Sequence, residues 1–186
     1  MHAMQDKRGA PLTADDDRHP GGPVASGRMS ALAFGVAAVT LVADQASKVW
    51  ALAALTPGEP IDLLGHYVRL NIIRNPGAAF SIGNQATWLL TLVAVGVAIV
   101  IVMSIRKLGH RGWAICLGLI LGGAVGNLID RFFREPGIGR GHVVDFIDYG
   151  GLFIGNIADI AIVVAAVLIA ILAWRGIGLD GRREHR

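Results

Sequence analysis

Two aspartates stand beside apolar stretches of membrane length: Asp145 in Gly141-His142-Val143-Val144-Asp145, and Asp159 in Asn156-Ile157-Ala158-Asp159. An ionised group at membrane depth costs several kcal/mol, so such residues mark a functional interior rather than a lipid-facing surface. Two carboxylates that meet can act as acid and base with water as nucleophile. Asp159 also fits a purely structural account, in the first turn of a helix capped by Asn156, where the helix dipole favours a carboxylate. Against that account, Leu152-Phe153-Ile154 predicts an earlier helix start and leaves Asp159 embedded in the span. His142, Asp145 and Asp148 are ligand types for zinc at spacings of three, but no HExxH or paired-histidine pattern accompanies them, and no metal is expected. Serine or cysteine chemistry is weaker still. Ser81 and Ser104 lie in no nucleophile-elbow pattern, and the single Cys116 has no histidine near it in sequence.

Further polar residues interrupt the apolar stretches. Asp44 and Lys48 are four apart in the order that favours a helical ion pair, so they fit both a structural pair and a contact to substrate or partner. Asn127 and Asp130 share a helix face, with Arg131 as a counter-charge for Asp130. Gly118, Gly122 and Gly126 recur every four residues, the spacing that lets two membrane helices approach closely.

These residues must be positioned by four stretches long enough to cross a bilayer, roughly 30–55, 88–105, 112–129 and 152–174. Apolar residues make up 53% of the 186 and charged residues 17%, so the fold expected is an all-α membrane protein of four transmembrane helices. Alternating apolar and polar residues in Tyr67-Val68-Arg69-Leu70-Asn71-Ile72, followed by the turn-forming Asn75-Pro76-Gly77, predict a small extracytoplasmic β-sheet after the first helix. One membrane domain spans 30–175. Residues 1–29 form a polar tail expected to be disordered, and 176–186 a short tail expected to be loose. Of the 17 Lys and Arg, 11 fall in the two tails and the loop after the second stretch, which predicts both termini in the cytoplasm. Topology therefore accounts for the basic balance, and no nucleic-acid partner is implied. The apolar run after Arg28 has no convincing small-x-small cleavage site followed by a polar region, and apolar sequence resumes to Leu55, so it reads as an uncleaved span rather than a leader.

In order along the chain, Asp44-Gln45-Ala46-Ser47-Lys48, Arg74-Asn75-Pro76-Gly77-Ala78-Ala79-Phe80-Ser81, Gly122 through Arg131, Gly141 through Phe146 and Asn156-Ile157-Ala158-Asp159 resemble the lipoprotein signal peptidases, or signal peptidase II. The resemblance covers roughly residues 30–174. It implies a hydrolase of the aspartyl protease type in the bacterial inner membrane, working without cofactor, with Asp145 and Asp159 as catalytic dyad. It also implies that Asp44, Lys48, Asn75, Gly126, Asn127, Asp130, Arg131, Asn156 and Ala158 shape the pocket. The substrate implied is a diacylglyceryl-modified prolipoprotein, cut just before its lipidated cysteine. The implied setting is a monomer among membrane phospholipids, with its active site near the outer face and sensitivity to globomycin. One departure stands out: the family has Phe before the Asn of the last motif, and Gly155 is here.

Two rival readings use the same residues. A proton-coupled transporter would thread Asp44, Lys48, Asp145 and Asp159 across the membrane as a relay. The acids other than Asp44 gather toward one side, however, and the second stretch carries no ionisable residue. In an assembly subunit, the glycine face and polar pairs would only hold helices together.

Overall fold

A computed structural model describes residues 23–77 and 87–183. Its elements are α1 (Pro23–Ala54), β1 (Ile61–Asp62), β2 (Arg69–Asn75), α2 (Thr87–Ile105), α3 (Arg111–Phe133), β3 (Val143–Asp148), β4 (Ile154–Gly155) and α4 (Ile157–Trp174). All four helices are long and apolar enough to cross a membrane. The segment Ala78-Ala79-Phe80-Ser81 and the first part of the amino tail lie outside the described residues.

Helix α3 is central: 56% of its most apolar window is buried inside the protein, against 22% or less for the others. Its glycine face explains why. A Cβ on Gly122 would stand 2.6 Å from both the Ala37 carbonyl and the Thr40 Cβ, and one on Gly118 would meet the Ala33 carbonyl. Helix α1 offers Ala33, Ala37 and Thr40 at intervals of four and three, so two small-residue faces meet backbone to backbone. Ile101, Ile105, Leu108, Leu117 and Leu121 complete this core, while large apolar side chains such as Val39, Val42 and Val100 stay exposed, as lipid-facing residues do.

The sheet is antiparallel, in the order β1-β2-β3-β4. The expected sheet after the first helix is therefore present, but only half of it comes from that loop. The chain between α3 and α4 supplies β3 and β4, strands that the alternation after the first helix did not predict. Ala51 and Leu55 at the end of α1 pack against Ile72, Val144 and Phe146 of β2 and β3, and Trp50 meets the Phe146 ring edge-on at 6.3 Å.

Boundaries move, among them the end of α3, which runs to Phe133 rather than 129. Helix α1 begins at Pro23, seven residues inside the stretch read as tail. Helix α4 begins at Ile157 rather than 152, because Ile154 and Gly155 pair with Asp148 and Ile147 of β3, and Asn156 is extended and caps the helix. The described part of the segment after Arg175, residues 176–183, folds back on the helices. Ile177 bridges Arg183 in a small hairpin, Gly109 N–H donates to the Leu179 carbonyl, and Trp113 Nε1 donates to the Ile177 carbonyl at 2.9 Å.

Candidate active site

The start of α4 is a dense hydrogen-bonded cap. Asn156 accepts the Asp159 N–H through its side-chain oxygen, and Asp159 Oδ2 accepts the Asn156 N–H, each at 3.1 Å. This is a capping box with aspartate in the place of the usual Glu or Gln. Asp159 thus sits in the first turn, and the expectation of a carboxylate buried seven residues into the span is corrected. The N–H between them, that of Ala158, goes to Asp44 Oδ1 on α1 at 3.0 Å. Three acceptors satisfy donors that a helix start otherwise leaves unpaired.

The second carboxylate reaches the same place from the sheet. Asp145 in β3 accepts Asn156 Nδ2 on Oδ1 at 2.6 Å and Asn75 Nδ2 on Oδ2 at 2.9 Å. Asn75 ends β2, and its own oxygen accepts the Gly77 N–H at 2.8 Å, a turn that Gly77 closes with φ of 110°. Burial pushes the Asp145 carboxyl up to about 6, opposed by the Asn75 hydrogen bond and reinforced by the charge of Asp159.

Behind the carboxylates lies a fully buried cluster. Lys48 Nζ donates to Asp44 Oδ2 and Asp130 Oδ2 at 2.8 Å and to Asn127 Oδ1 at 2.9 Å. Asn127 Nδ2 then donates to Asp159 Oδ1 at 3.2 Å. Asp130 also accepts Arg134 Nε at 2.5 Å and the Val144 N–H at 3.2 Å, which fastens α3 to β3. The i,i+4 pair expected of Asp44 and Lys48 is present. The counter-charges of Asp130 are Lys48 and Arg134, four residues on, rather than the adjacent Arg131.

A cavity of about 360 Å³ opens beside these groups, with Asn75, Asn127, Arg131, Asp145 and Asp159 at its polar end. Leu90, Val97, Phe153 and Ile162 form apolar wall. Arg131 Nη1 is buried and has no hydrogen-bond partner among the described residues. A larger cavity, about 560 Å³ between the end of α1 and β2, has no acidic residue in its lining. Of the residues singled out from sequence, Asp44, Lys48, Gly126, Asp130, Asn156 and Ala158 do not face the 360 Å³ cavity but stand behind it. Gly126 is there because a Cβ would run into the Asp44 carboxylate.

Asp148 is three strand positions from Asp145, hence on the other face of the sheet, where Arg69 Nη2 holds it at 2.7 Å. His142, Asp145 and Asp148 therefore do not converge. Sequence reasoning missed Arg134 and Phe153. The i,i+4 spacing from Asp130 was a signal for the first. The second follows from Gly155, where a Cβ would meet the Phe153 ring at 2.6 Å and Asp159 Oδ2 at 3.0 Å. The Phe153 ring thus lies against the position where the resembling family carries its own Phe.

A family model described as signal peptidase (SPase) II matches residues 36–175. A lipoprotein signal peptidase of Rhodococcus jostii is 50% identical over 153 residues, which cover 82% of this chain and 77% of that protein. One of Mycobacterium tuberculosis strain H37Rv is 44% identical over 180 residues, 94% of this chain and 89% of the other. A bacterial membrane enzyme solved by the in meso method at 1.9 Å superposes with a TM-score of 0.67 and 26% identity, covering 76% of this chain and 91% of that one.

Proposed function

The chain belongs to the signal peptidase II family, the lipoprotein signal peptidases that remove signal peptides from prolipoproteins, and we propose that Asp145 and Asp159 are its catalytic dyad. One observation carries this reading. Asn156 gives its side-chain amide to Asp145 and its backbone N–H to Asp159, so a single residue sets both carboxylates beside one cavity. Two like charges at close quarters in a dry site do not both ionise, and the dyad holds one proton between them. The anionic member takes a proton from water, whose oxygen attacks the scissile carbonyl. The protonated member donates to the developing oxyanion. When the tetrahedral intermediate collapses, the C–N bond breaks and a proton passes to the departing amine. Arg131 lines the cavity and offers a guanidinium donor to a peptide carbonyl, which aligns the scissile bond. No step needs a metal or another cofactor.

The finer reading of the substrate is a prolipoprotein carrying diacylglycerol on its cysteine, cut just before that residue. The apolar wall beside the dyad supports it, since an acyl chain finds Leu90, Val97 and Ile162 there. The basic residues of the tails and of the α2–α3 loop support cytoplasmic termini. The dyad lies by the end of α1 and the start of α4, which on that topology is the outer face. The enzyme works as a monomer surrounded by phospholipid.

The test is cleavage of a diacylglyceryl-modified prolipoprotein by wild type, Asp145→Asn and Asp159→Asn. Each substitution keeps the side chain's size and removes its exchangeable proton. A loss of roughly 10²–10⁴-fold or more is expected for each folded variant. Normal cleavage by either would remove that aspartate from the mechanism.

A further inference from the structure

Lys48 is fully buried, and an ammonium has three donors and no acceptor. Two of the three go to Asp44 and Asp130, which more than balance its charge. The third goes to a neutral amide oxygen, Asn127 Oδ1, which also accepts Asn156 Nδ2 at 3.2 Å, and charge balance does not require it. Its consequence lies one bond further on. With Oδ1 turned to Lys48, Nδ2 is the atom that faces Asp159 Oδ1.

The other two amides around the dyad are oriented in the same way, each by a group that can only donate. The Gly77 N–H fixes Asn75, so that its Nδ2 faces Asp145. The Asp159 N–H fixes Asn156, so that its Nδ2 faces Asp145 as well. All four carboxylate oxygens therefore meet donors, and a proton on the dyad is left to the lone pairs that remain. Two of these orienting donors are backbone groups that no side-chain substitution removes. Asn127 is oriented by side chains alone, Lys48 Nζ at 2.9 Å and, more weakly, Asn156 Nδ2 at 3.2 Å.

We propose that Lys48 is a positioning residue for the reaction: by donating to Asn127 Oδ1 it holds the Asn127 amide with its NH₂ toward Asp159. With the amide reversed, an oxygen would stand against the Asp159 oxygen. Repulsion would then move the carboxylate or trap a proton between them, away from substrate. The proposal rests on the dyad reading of Asp145 and Asp159. It differs from a structural ion pair in requiring a donor at this point rather than a charge.

Two double variants separate these roles. Asp44→Asn with Lys48→Gln and Asp44→Asn with Lys48→Met both delete the same neutral charge pair. Both leave Asp130 paired with Arg134 and keep an oxygen at position 44 for the Ala158 N–H. Asn156 Nδ2 still donates to Asn127 Oδ1 in both, and only the glutamine adds an N–H to that oxygen from position 48. The glutamine variant is expected to turn over at least about tenfold faster than the methionine variant, with KM within roughly twofold because Lys48 does not line the cavity. Equal kcat in the two, or a difference confined to KM or melting temperature, overturns the proposal.

Asn127→Asp serves where the double variants do not accumulate. It keeps the acceptor for Lys48 but sets an oxygen against Asp159, and a kcat at least about tenfold below wild type is expected. Wild-type kcat there overturns the proposal. Asp159→Asn runs alongside as a control. If it is active, the dyad reading falls and the positioning role with it; if it is dead and the two doubles are equal, only the positioning role falls.

Discussion

Asn156 donates its side-chain amide to Asp145 Oδ1 at 2.6 Å, a contact from the cap of α4 to the middle of strand β3. The same residue starts α4 and accepts the Asp159 N–H. The register of the helix and the spacing of the carboxylates are therefore one constraint. A shift of α4 by one residue would break the cap and separate the dyad together.

Substitution at Asn156 should split those two duties. Serine keeps an oxygen for the Asp159 N–H and ranks with asparagine as a cap, so Asn156→Ser should unfold within about 1 kcal/mol of wild type. It lacks the amide donor for Asp145, and turnover should fall about tenfold or more. Asn156→Ala loses the cap as well and should be less stable than the serine variant by roughly 1 kcal/mol. Melting and peptidase assays on the three proteins check both parts. Full activity in Asn156→Ser would show that the 2.6 Å contact is not needed for cleavage.

The pH dependence of stability has a definite sign at Asp145. Its pKa rises from 3.8 to about 6 on folding, first because the group is buried, so the folded state holds the proton more tightly than the unfolded chain. The stabilisation from that proton is complete below 3.8 and is lost as pH rises through about 6. By linkage the loss amounts to roughly 3 kcal/mol at most. Asp145→Asn has no such loss. Its melting temperature relative to wild type should therefore climb between pH 4 and pH 7.5. A constant difference across that range would mean that Asp145 is not buried in its neutral form.

How far the site could be read from sequence depends on the distance over which each residue acts. Asp44 with Lys48 was legible because an i,i+4 pair is local geometry, and the glycines were legible because small residues every fourth position have one use in a membrane helix. The start of α4 was not. Leu152-Phe153-Ile154 continues the apolar stretch without a break, and what removes it from the helix is pairing of Ile154 and Gly155 with β3. Strand β3 hid for the same reason: Val143-Val144-Asp145-Phe146 is buried on both faces, so it shows no alternation. The three acceptors of Lys48 could not be counted from sequence either, since two of them arrive from α3. Asn75 as a turn former, Asn127 on the face of Asp130 and Asn156 as a cap were legible locally, but their roles as amide donors to carboxylates are fixed only by tertiary contacts.

The close contact of α1 and α3 gives a stability prediction with its own control. Gly122→Ala puts a Cβ against the Ala37 carbonyl, a backbone atom that cannot swing aside, and should cost roughly 1–3 kcal/mol. Gly35→Ala, also in a helix, meets nothing within 4 Å and should be neutral or slightly stabilising, as alanine is the better helix former. Thermal unfolding in detergent compares the two. Equal effects would mean that the helices are not held at this separation.

Gly155 makes the last prediction, because its missing side chain is occupied by another residue. A Cβ there would press on the Phe153 ring at 2.6 Å, and Phe153 is both cavity wall and stacking partner of Tyr149, with ring centroids 6.2 Å apart. The ring is half exposed and free to swing, so Gly155→Ala should displace it rather than unfold the protein. The cavity then loses an aromatic surface without losing a carboxylate. KM for a lipidated substrate should rise about fivefold to tenfold, near 1 kcal/mol, with kcat largely kept. Phe153→Ala removes the same surface directly and should raise KM by a similar factor. Because both changes act through one ring, the double variant should be no worse than either single, a coupling that independent sites would not show. Multiplying KM effects in the double variant would mean that Gly155 acts on the site by a route other than Phe153, with Asp159 Oδ2, 3.0 Å from the added Cβ, as the neighbour to test next.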